Sequence, residues 1–407
     1  MRSDIINRII QIFKYTTYLE LGVDNRSLNF EKINCVNKFC VDINPRSRPD
    51  FTGSTDDFFS QNTNKFELVF IDADHSHEQV IKDIENSLSA LAPNGTIVCH
   101  DMNPTTKEMQ VVPRQQGIWT GDAWRAWLKF REREDLSMCV IDADYGCGII
   151  RRGSQSPIKV DNPTYEQFTE NKKEWLNLIA GDLSPMSIII PAFEQYGHGG
   201  RTLNLLLQSI INLRGKFEVV VSDNSQDNSI EGVCNLYKKK FDITHFKNPV
   251  RGISENTNAA LDAAKYELNK IMYQDDIFLA RDAIEHTAFA LKLSHWVGLE
   301  GTAINKNGKA LRKTSPRFSP EMITTGKNSF GMPSVCAFRK NGIRFDTSLK
   351  TMLDCDFYYQ MYKQYGEPGI IRGNYIGSRY WDGSTSRRQG SFLEAELPYL
   401  NRKYAGA

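Results

Sequence analysis

Short apolar runs recur along this chain, each closed by an acidic or Gly/Pro turn and followed by residues at helical spacing. In the first half, the Ile and Phe positions of MRSDIINRIIQIFKY predict an amphipathic helix. Thr17 to Leu21 predicts a strand closed by Gly22, with a helix starting near Asn25 to Ser27, and FCVDINP a second strand ending at Asp42. KFELVFIDADHSHEQVIKDIENSLSALAPNGTIVCHDMNP then reads as strand, acidic turn, helix, Pro-Asn-Gly turn, strand and a second acidic turn. In GIWTGDAWRAWLKFRER, Asp122 opens a helix whose Trp124 and Trp127 are core positions, and the loop before it offers Trp119. CVIDADYGCGIIRRG supplies a last pair of strands.

From Gly153 to about Ser184 the chain is polar and punctuated by Pro157 and Pro163, yet Tyr165, Phe168, Trp175, Leu176 and Ile179 keep helical spacing. A docked linker helix fits this better than a floppy tether. Beyond it, MSIIIPAFEQ, FEVVVSDNSQDNSI, DITHFKNPV and KIMYQDDIFL predict strands alternating with helices. Such alternation means a doubly wound parallel sheet with its ligand crevice at the carboxyl ends of the strands.

Composition changes this picture little. A chain of 407 residues accommodates two domains, and Lys plus Arg (50) balance Asp plus Glu (49) at a net charge of +1. That balance gives no electrostatic case for nucleic acid or an anionic membrane. No apolar run approaches the roughly 18–20 residues that span a bilayer, and the first residues lack a signal-peptide layout. The eight Cys include no CxxC pair, which points to a reduced compartment without a zinc site or disulfide framework. The expected location is cytoplasmic, at most peripheral at the membrane through the first helix.

A strand, a glycine turn and an acid ending the next strand form the layout of a Rossmann-type nucleotide site. The turn LELGVDN lacks a GxGxxG pattern, so it suits S-adenosyl-L-methionine better than a dinucleotide, whose pyrophosphate needs a close backbone approach. Asp72, Asp101 and Asn103 follow two different strands and could hold Mg²⁺ as an oxygen-rich set. Alternatively His75 or His100 serves as general base, or the aspartates only cap helices. With LELG, FIDADHSHE and CHDMNP in this order, residues 15–151 resemble the class I S-adenosyl-L-methionine-dependent methyltransferases. The resemblance implies that Glu20 and Gly22 belong to the first cofactor motif and that Asp42 accepts the ribose hydroxyls. It also implies that Asp72, His75, His100 and Asp101 rim the catalytic mouth, and Trp119 is the candidate acceptor contact.

In the second half IPAFE, DNSQDNS, GISENTN, YQDD and LDCDF follow one another, and from about Met186 onward the chain resembles the family 2 glycosyltransferases of GT-A fold. The resemblance implies that Pro191, Ala192 and Glu194 edge the nucleotide pocket, Asp223 accepts from the base's imide N–H, and Asn258 contacts the nucleotide. Asp276 would ligate Mn²⁺ or Mg²⁺, Asp275 would orient the donor, Asp354 would be the catalytic base, and Asp356 would support it. Gly331, Pro333 and Ser334 would shape the acceptor subsite. SRYWDGSTSRR stands where relatives carry a His that can reach the metal; Trp381 or Asp382 takes that place, and Leu353 replaces the usual Glu before the base.

The expected fold is therefore α/β, with two doubly wound Rossmann-like domains at 1–152 and 186–407 joined by a helical linker at 153–185. The expected function is metal-dependent, inverting transfer from a nucleotide-diphosphate sugar to a glycan, glycolipid or small saccharide, together with O-methylation of a sugar or related acceptor. The alternatives are a glycosyltransferase with a non-catalytic docking domain, or a nucleotide-sugar- or glycan-binding scaffold.

Overall fold

The structure, a computed structural model, describes residues 2–194, 197–380 and 390–404. The chain divides into two compact units, Met1–Asp182 and Leu183–Ala407. The segment containing Trp381 and Asp382 lies outside the described residues.

The first unit contains α1 (Arg2–Phe13), β1 (Thr17–Leu21), β2 (Asn37–Asp42), β3 (Phe51–Thr52), α2 (Thr55–Gln61), β4 (Phe66–Ile71), α3 (His77–Ala90) and β5 (Leu91–Cys99). It continues through α4 (Ala123–Arg131), β6 (Leu136–Asp142), β7 (Cys147–Arg152), α5 (Tyr165–Trp175) and β8 (Leu178–Ala180). Its sheet runs β3-β2-β1-β4-β5-β7-β6-β8, parallel from β3 to β5, with β7 antiparallel to both neighbours. The strand order reverses between β1 and β4, so the crevice at their carboxyl ends is the natural ligand position. The Ile and Phe stripe of α1 is buried, which spends on the core the face a membrane-surface role would need. Trp124 and Trp127 are core residues.

Two expectations change here. No α-helix starts near Asn25 to Ser27; a turn leads to one 3₁₀ turn at Phe30–Lys32. Polar side chains compete with the helix there: Asn25 accepts from the Ser27 amide at 3.0 Å, and the Arg26 guanidinium donates to the Arg48 carbonyl at 2.8 Å. The stretch assigned to a linker at 153–185 packs largely with the first unit. The Thr164 capping box starts α5, Phe168 enters the core, and β8 pairs with β6.

The second unit contains β9 (Met186–Ala192), α6 (Gly199–Ile210), β10 (Phe217–Asp223), α7 (Ser229–Tyr237), β11 (Ile243–Lys247), α8 (Ile253–Asp262), β12 (Leu268–Ile271) and β13 (Ile277–Phe278). Then follow α9 (Ala283–Leu293), β14 (Trp296–Asn305), β15 (Ala310–Thr314), α10 (Pro320–Thr324), β16 (Cys336–Arg339), α11 (Leu353–Tyr365), β17 (Gly369–Tyr380) and α12 (Gly390–Tyr404). The sheet order is β11-β10-β9-β12-β16-β14-β17-β13, with β15 added to β14. β9 to β12 are parallel, and the order reverses between β9 and β12, again placing a crevice at their carboxyl ends. No helix among the described residues is long and apolar enough to cross a membrane.

Where β14 lies against β17 the register shifts between Leu299 and Gly301, and a Cβ on Gly301 would sit 1.9 Å from the Ile376 carbonyl oxygen. Backbone cannot yield as a flexible side chain does. Gly301→Ala is therefore expected to cost about 1–3 kcal/mol, lowering the melting temperature by several degrees in a scanning calorimetry comparison. An unchanged transition would show that the bulge relaxes freely.

Candidate active sites

The carboxyl ends of β9 and β12 open into a cleft of about 1100 Å³ in the second unit. Pro191, Ala192, Asp275, Asp354, Gly331 and Pro333 line it, so six of the positions singled out from the sequence converge there. Asp354 stands in the first turn of α11, where Oδ2 accepts from the Asn328 side-chain amide at 2.6 Å and Oδ1 from the Cys355 amide at 2.8 Å. Burial pushes its pKa up to about 6, against the lowering effect of those donors. That value suits a base working near neutral pH.

The acidic pair splits. Asp275 lines the cleft, whereas Asp276 is fully buried and absent from its wall. Asp276 Oδ1 accepts from the Arg379 amide at 2.8 Å, and Oδ2 has no hydrogen-bond partner. Burial first, and the neighbouring Asp275 charge second, raise the pKa of Asp276. A buried carboxylate oxygen without a partner is costly unless a cation meets it. Nearby, the fully buried Lys270 ammonium donates to the carbonyls of Ile271 (2.9 Å) and Ser334, and burial lowers its pKa to about 7.

Five assigned residues turn away from the cleft. Glu194 caps α6 instead, its two oxygens accepting from the Gly199 and Gly200 amides at 3.2 and 2.8 Å. The Asp223 carboxylate is fully buried and held by Lys247 at 2.8 Å and His245 at 3.1 Å. Asn258 makes reciprocal bonds with the Phe345 backbone, at 2.8 and 2.9 Å. The buried Ser334 hydroxyl accepts from the Tyr273 amide at 2.8 Å. Asp356 is buried and ties α11 to α12 through Lys403 at 2.7 Å and the Tyr404 hydroxyl. In their place the cleft presents Asn224, Asn256, Arg251 and Asn328. Asn256 was discoverable: two residues along a helix turn the side chain by about 200°, so Asn256 and Asn258 cannot serve the same face. Nothing in GKNSFG singles out Asn328.

In the first unit the turns after β4 and β5 bring Asp72, His75 and Asp101 together, with ligand atoms within 4.8 Å of one another. His100 joins them, its Nδ1 3.1 Å from Asp72, and the Trp119 ring stacks on His75 at 5.1 Å. Asp101 holds φ at +64°, in the left-handed region that aspartate enters more readily than most non-glycine residues. Burial opposes charge on both imidazoles, yet the adjacent carboxylates outweigh it and raise the pKa of His75 and, further, of His100. The imidazoles in turn hold the Asp72 carboxyl well below its usual range. Arg2 reaches the same mouth, with its amide 3.0 Å from Asp144 and its guanidinium 3.7 Å from Asp72. Asn103 does not join this set: its amide donates to Asp142 at 3.0 Å and its oxygen accepts from Lys172 at 3.4 Å. The donor set is therefore two carboxylates and an imidazole, which suits Mn²⁺ or a similar transition metal better than Mg²⁺.

The cofactor-motif residues divide. Glu20 is buried, bonded to the Tyr18 hydroxyl at 2.5 Å and the Asn29 amide at 3.0 Å, and burial lifts its pKa to about 7; it is a core acid. Gly22 has φ +82°, and a Cβ there would lie 2.3 Å from the Asp72 carbonyl oxygen, so the turn after β4 imposes the glycine. Asp42 is half-buried; its Oδ2 accepts from the Val23 and Asp24 amides, both at 2.8 Å, and its Oδ1 accepts from Asn44 at 2.7 Å. That carboxylate keeps lone pairs for a ribose. The fit to S-adenosyl-L-methionine thus rests on Asp42 and the strand-order reversal beside it, without Glu20.

Comparison with known proteins finds one family model in each unit. A methyltransferase domain model matches residues 40–102, beginning beyond Glu20 and Gly22, and a glycosyl transferase family 2 model matches residues 187–343, ending before Asp354. No curated protein matches the chain. Among solved structures, residues 1–349 of S. aureus TarS in complex with UDP-GlcNAc are 18% identical at a TM-score of 0.41, over 54% of this chain and 65% of that one. The mannosyltransferase PcManGT from Pyrobaculum calidifontis, in complex with GDP-Man and Mn²⁺, is 16% identical at a TM-score of 0.38, over 55% of this chain and 64% of that one. The chain thus spans just under two thirds of the length of either structure. On its own α/β sheet in each case, the polypeptide carries a methyltransferase-like domain followed by a glycosyl transferase family 2 domain.

Proposed function

We propose that the second domain transfers a glycosyl group from a nucleotide-diphosphate sugar to a saccharide hydroxyl, with inversion. The observation that carries this is the meeting of Asp275 and Asp354 in one cleft at the strand-order reversal. Asp354 takes the proton from the acceptor hydroxyl as that oxygen attacks the anomeric carbon opposite the leaving diphosphate. Asn328 holds the carboxylate in place through its amide bond. Pro191 and Ala192 edge the nucleotide, and Asn224 and Asn256 stand beside them. Asp275, with the unpartnered oxygen of Asp276, would hold Mn²⁺ or Mg²⁺. When bound, that cation neutralises charge growing on the diphosphate.

For the first domain we infer O-methylation of a sugar or related acceptor. S-adenosyl-L-methionine supplies the methyl electrophile, Asp42 would hold its ribose, and Asp101 with His75 and His100 manages the acceptor proton beside Trp119. The adjacent carboxylates favour the protonated form of both imidazoles, so a divalent cation held by Asp72, His75 and Asp101 would compete with the proton on His75.

Both readings meet one experiment on the full chain, thermal unfolding followed with ligands added. Ligand at about one hundred times its dissociation constant stabilises the native state by about 2.7 kcal/mol. UDP or GDP with Mn²⁺ should raise the second domain's transition, and S-adenosyl-L-methionine the first's. No shift with any nucleoside diphosphate sinks the glycosyl-transfer reading. No shift with S-adenosyl-L-methionine leaves the first domain a docking module.

A further inference from the structure

We propose that the acceptor of the second domain is an anionic saccharide, carrying a phosphate or carboxylate group near the hydroxyl to be glycosylated. This rests on the glycosyl-transfer reading above. The chain as a whole is nearly neutral at +1, yet the cleft wall is not. Arg251, Arg312, Lys313, Arg317, Lys327 and Lys350 line it, and among the described residues the carboxylates facing them there are Asp275 and Asp354.

These cations do not all serve the donor. Arg251 belongs to the donor end, since Asn224 beside it bonds the Val250 carbonyl and the Gly252 amide at 2.9 and 3.4 Å. Lys313 is partly neutralised by Glu300 at 3.1 Å. Arg317 and Lys327 sit elsewhere, on the two arms of the segment that reaches the catalytic base. The Arg317 amide bonds the Ser329 carbonyl at 3.1 Å, and Asn328, next to Lys327, donates to Asp354 at 2.6 Å. The same segment continues into Gly331 and Pro333 on the cleft wall, and Lys350 precedes the helix that carries Asp354. Arg317, Lys327 and Lys350 are all exposed, and neither Arg317 nor Lys327 has a carboxylate partner among the described residues.

The donor diphosphate brings its own counter-ion, and with Arg251 at its end of the cleft it needs no cations around the base. The charge surplus therefore lies on the acceptor side. Like charges clustered on a concave wall focus the field and raise the local concentration of anions. An uncharged acceptor would leave that repulsion uncompensated; an oxyanion relieves it, and arginine matches phosphate and carboxylate geometry in particular.

The test uses the full chain saturated with UDP, and separately with GDP, in the presence of Mn²⁺. With the diphosphate position filled, the affinities of glucose, glucose 6-phosphate and glucuronate are compared by saturation-transfer NMR. We expect one or both anions to bind at least about tenfold tighter than glucose, with the preference fading as salt screens it. Which anion binds tighter separates phosphate from carboxylate. The double variant R317E/K327E should keep nucleotide affinity and lose the preference. Equal binding of glucose, a preference that survives the charge reversal, or anion binding only before nucleotide is added would each overturn the proposal. Nucleotide binding is read first and separately, so failure of the glycosyl-transfer reading is told apart from failure of this one.

Discussion

Replacing Asp354 by Asn is expected to lower glycosyl transfer by about 10²–10⁴-fold, the usual loss when a general base is removed, while nucleoside diphosphate affinity stays the same. Asparagine keeps the shape and can still accept from the Cys355 amide, but it cannot take a proton. It also sets one amide against another at Asn328, whose own oxygen is committed to the Phe330 and Gly331 amides. A stability loss of about 1–3 kcal/mol is therefore expected, and unfolding must be measured beside turnover. The pH profile separates the two effects. Because the acid is raised to about 6, kcat/KM of the unsubstituted enzyme should fall tenfold per unit as pH drops below about 6 and the base fills with a proton. A purely structural aspartate would alter stability and leave that acid limb in place. In the Asn variant the limb should vanish; wild-type turnover, or a limb that persists, would remove Asp354 from the role of base.

The acidic strand ends were legible because strand period and turn chemistry are local properties. Asp42 ends its strand, and Asp72, Asp101 and Asp275 stand close after theirs, as the apolar runs before them imply. What failed needed a neighbour distant in sequence. Asp223 looks free until β11 is laid parallel to β10, which puts Lys247 directly opposite it. Asn103 looks like a third metal ligand until Lys172 of α5 and Asp142 of β6 engage its two ends. Glu20 looks like a cofactor acid until Tyr18 and Asn29 close around it. Glu194 erred for a nearer reason: an acid shortly before a glycine-led helix can also cap it, and that cap won. The helix expected to dock after residue 152 does so, but the first unit's extension to Asp182 was not legible. A strand as short as Leu178–Ala180 has no readable period, and its addition to the first sheet left no trace in the pattern.

Asp276→Asn is expected to abolish the metal-dependent part of nucleoside diphosphate binding, a loss of at least about one to two decades in affinity, while making the metal-free protein more stable. Both effects come from one atom. Asp276 Oδ2 is buried without a hydrogen-bond partner, and burial disfavours its ionised form. A carboxylic acid whose pKa is raised on folding destabilises the native state increasingly as pH climbs from its unfolded value toward the folded one. The neutral amide escapes that cost and preserves acceptance from the Arg379 amide through its own oxygen. Alanine would be the poorer probe, because it strands the Arg379 amide and mixes a stability loss into the binding result. If Asp276 only anchors β17, Asn should bind nucleotide with Mn²⁺ as tightly as the parent does. If it meets the cation, calorimetry should show Mn²⁺ adding nothing to nucleotide affinity in the variant, and unfolding without metal should shift upward at mildly alkaline pH. The opposite signs of the two measurements are what a merely structural aspartate cannot reproduce.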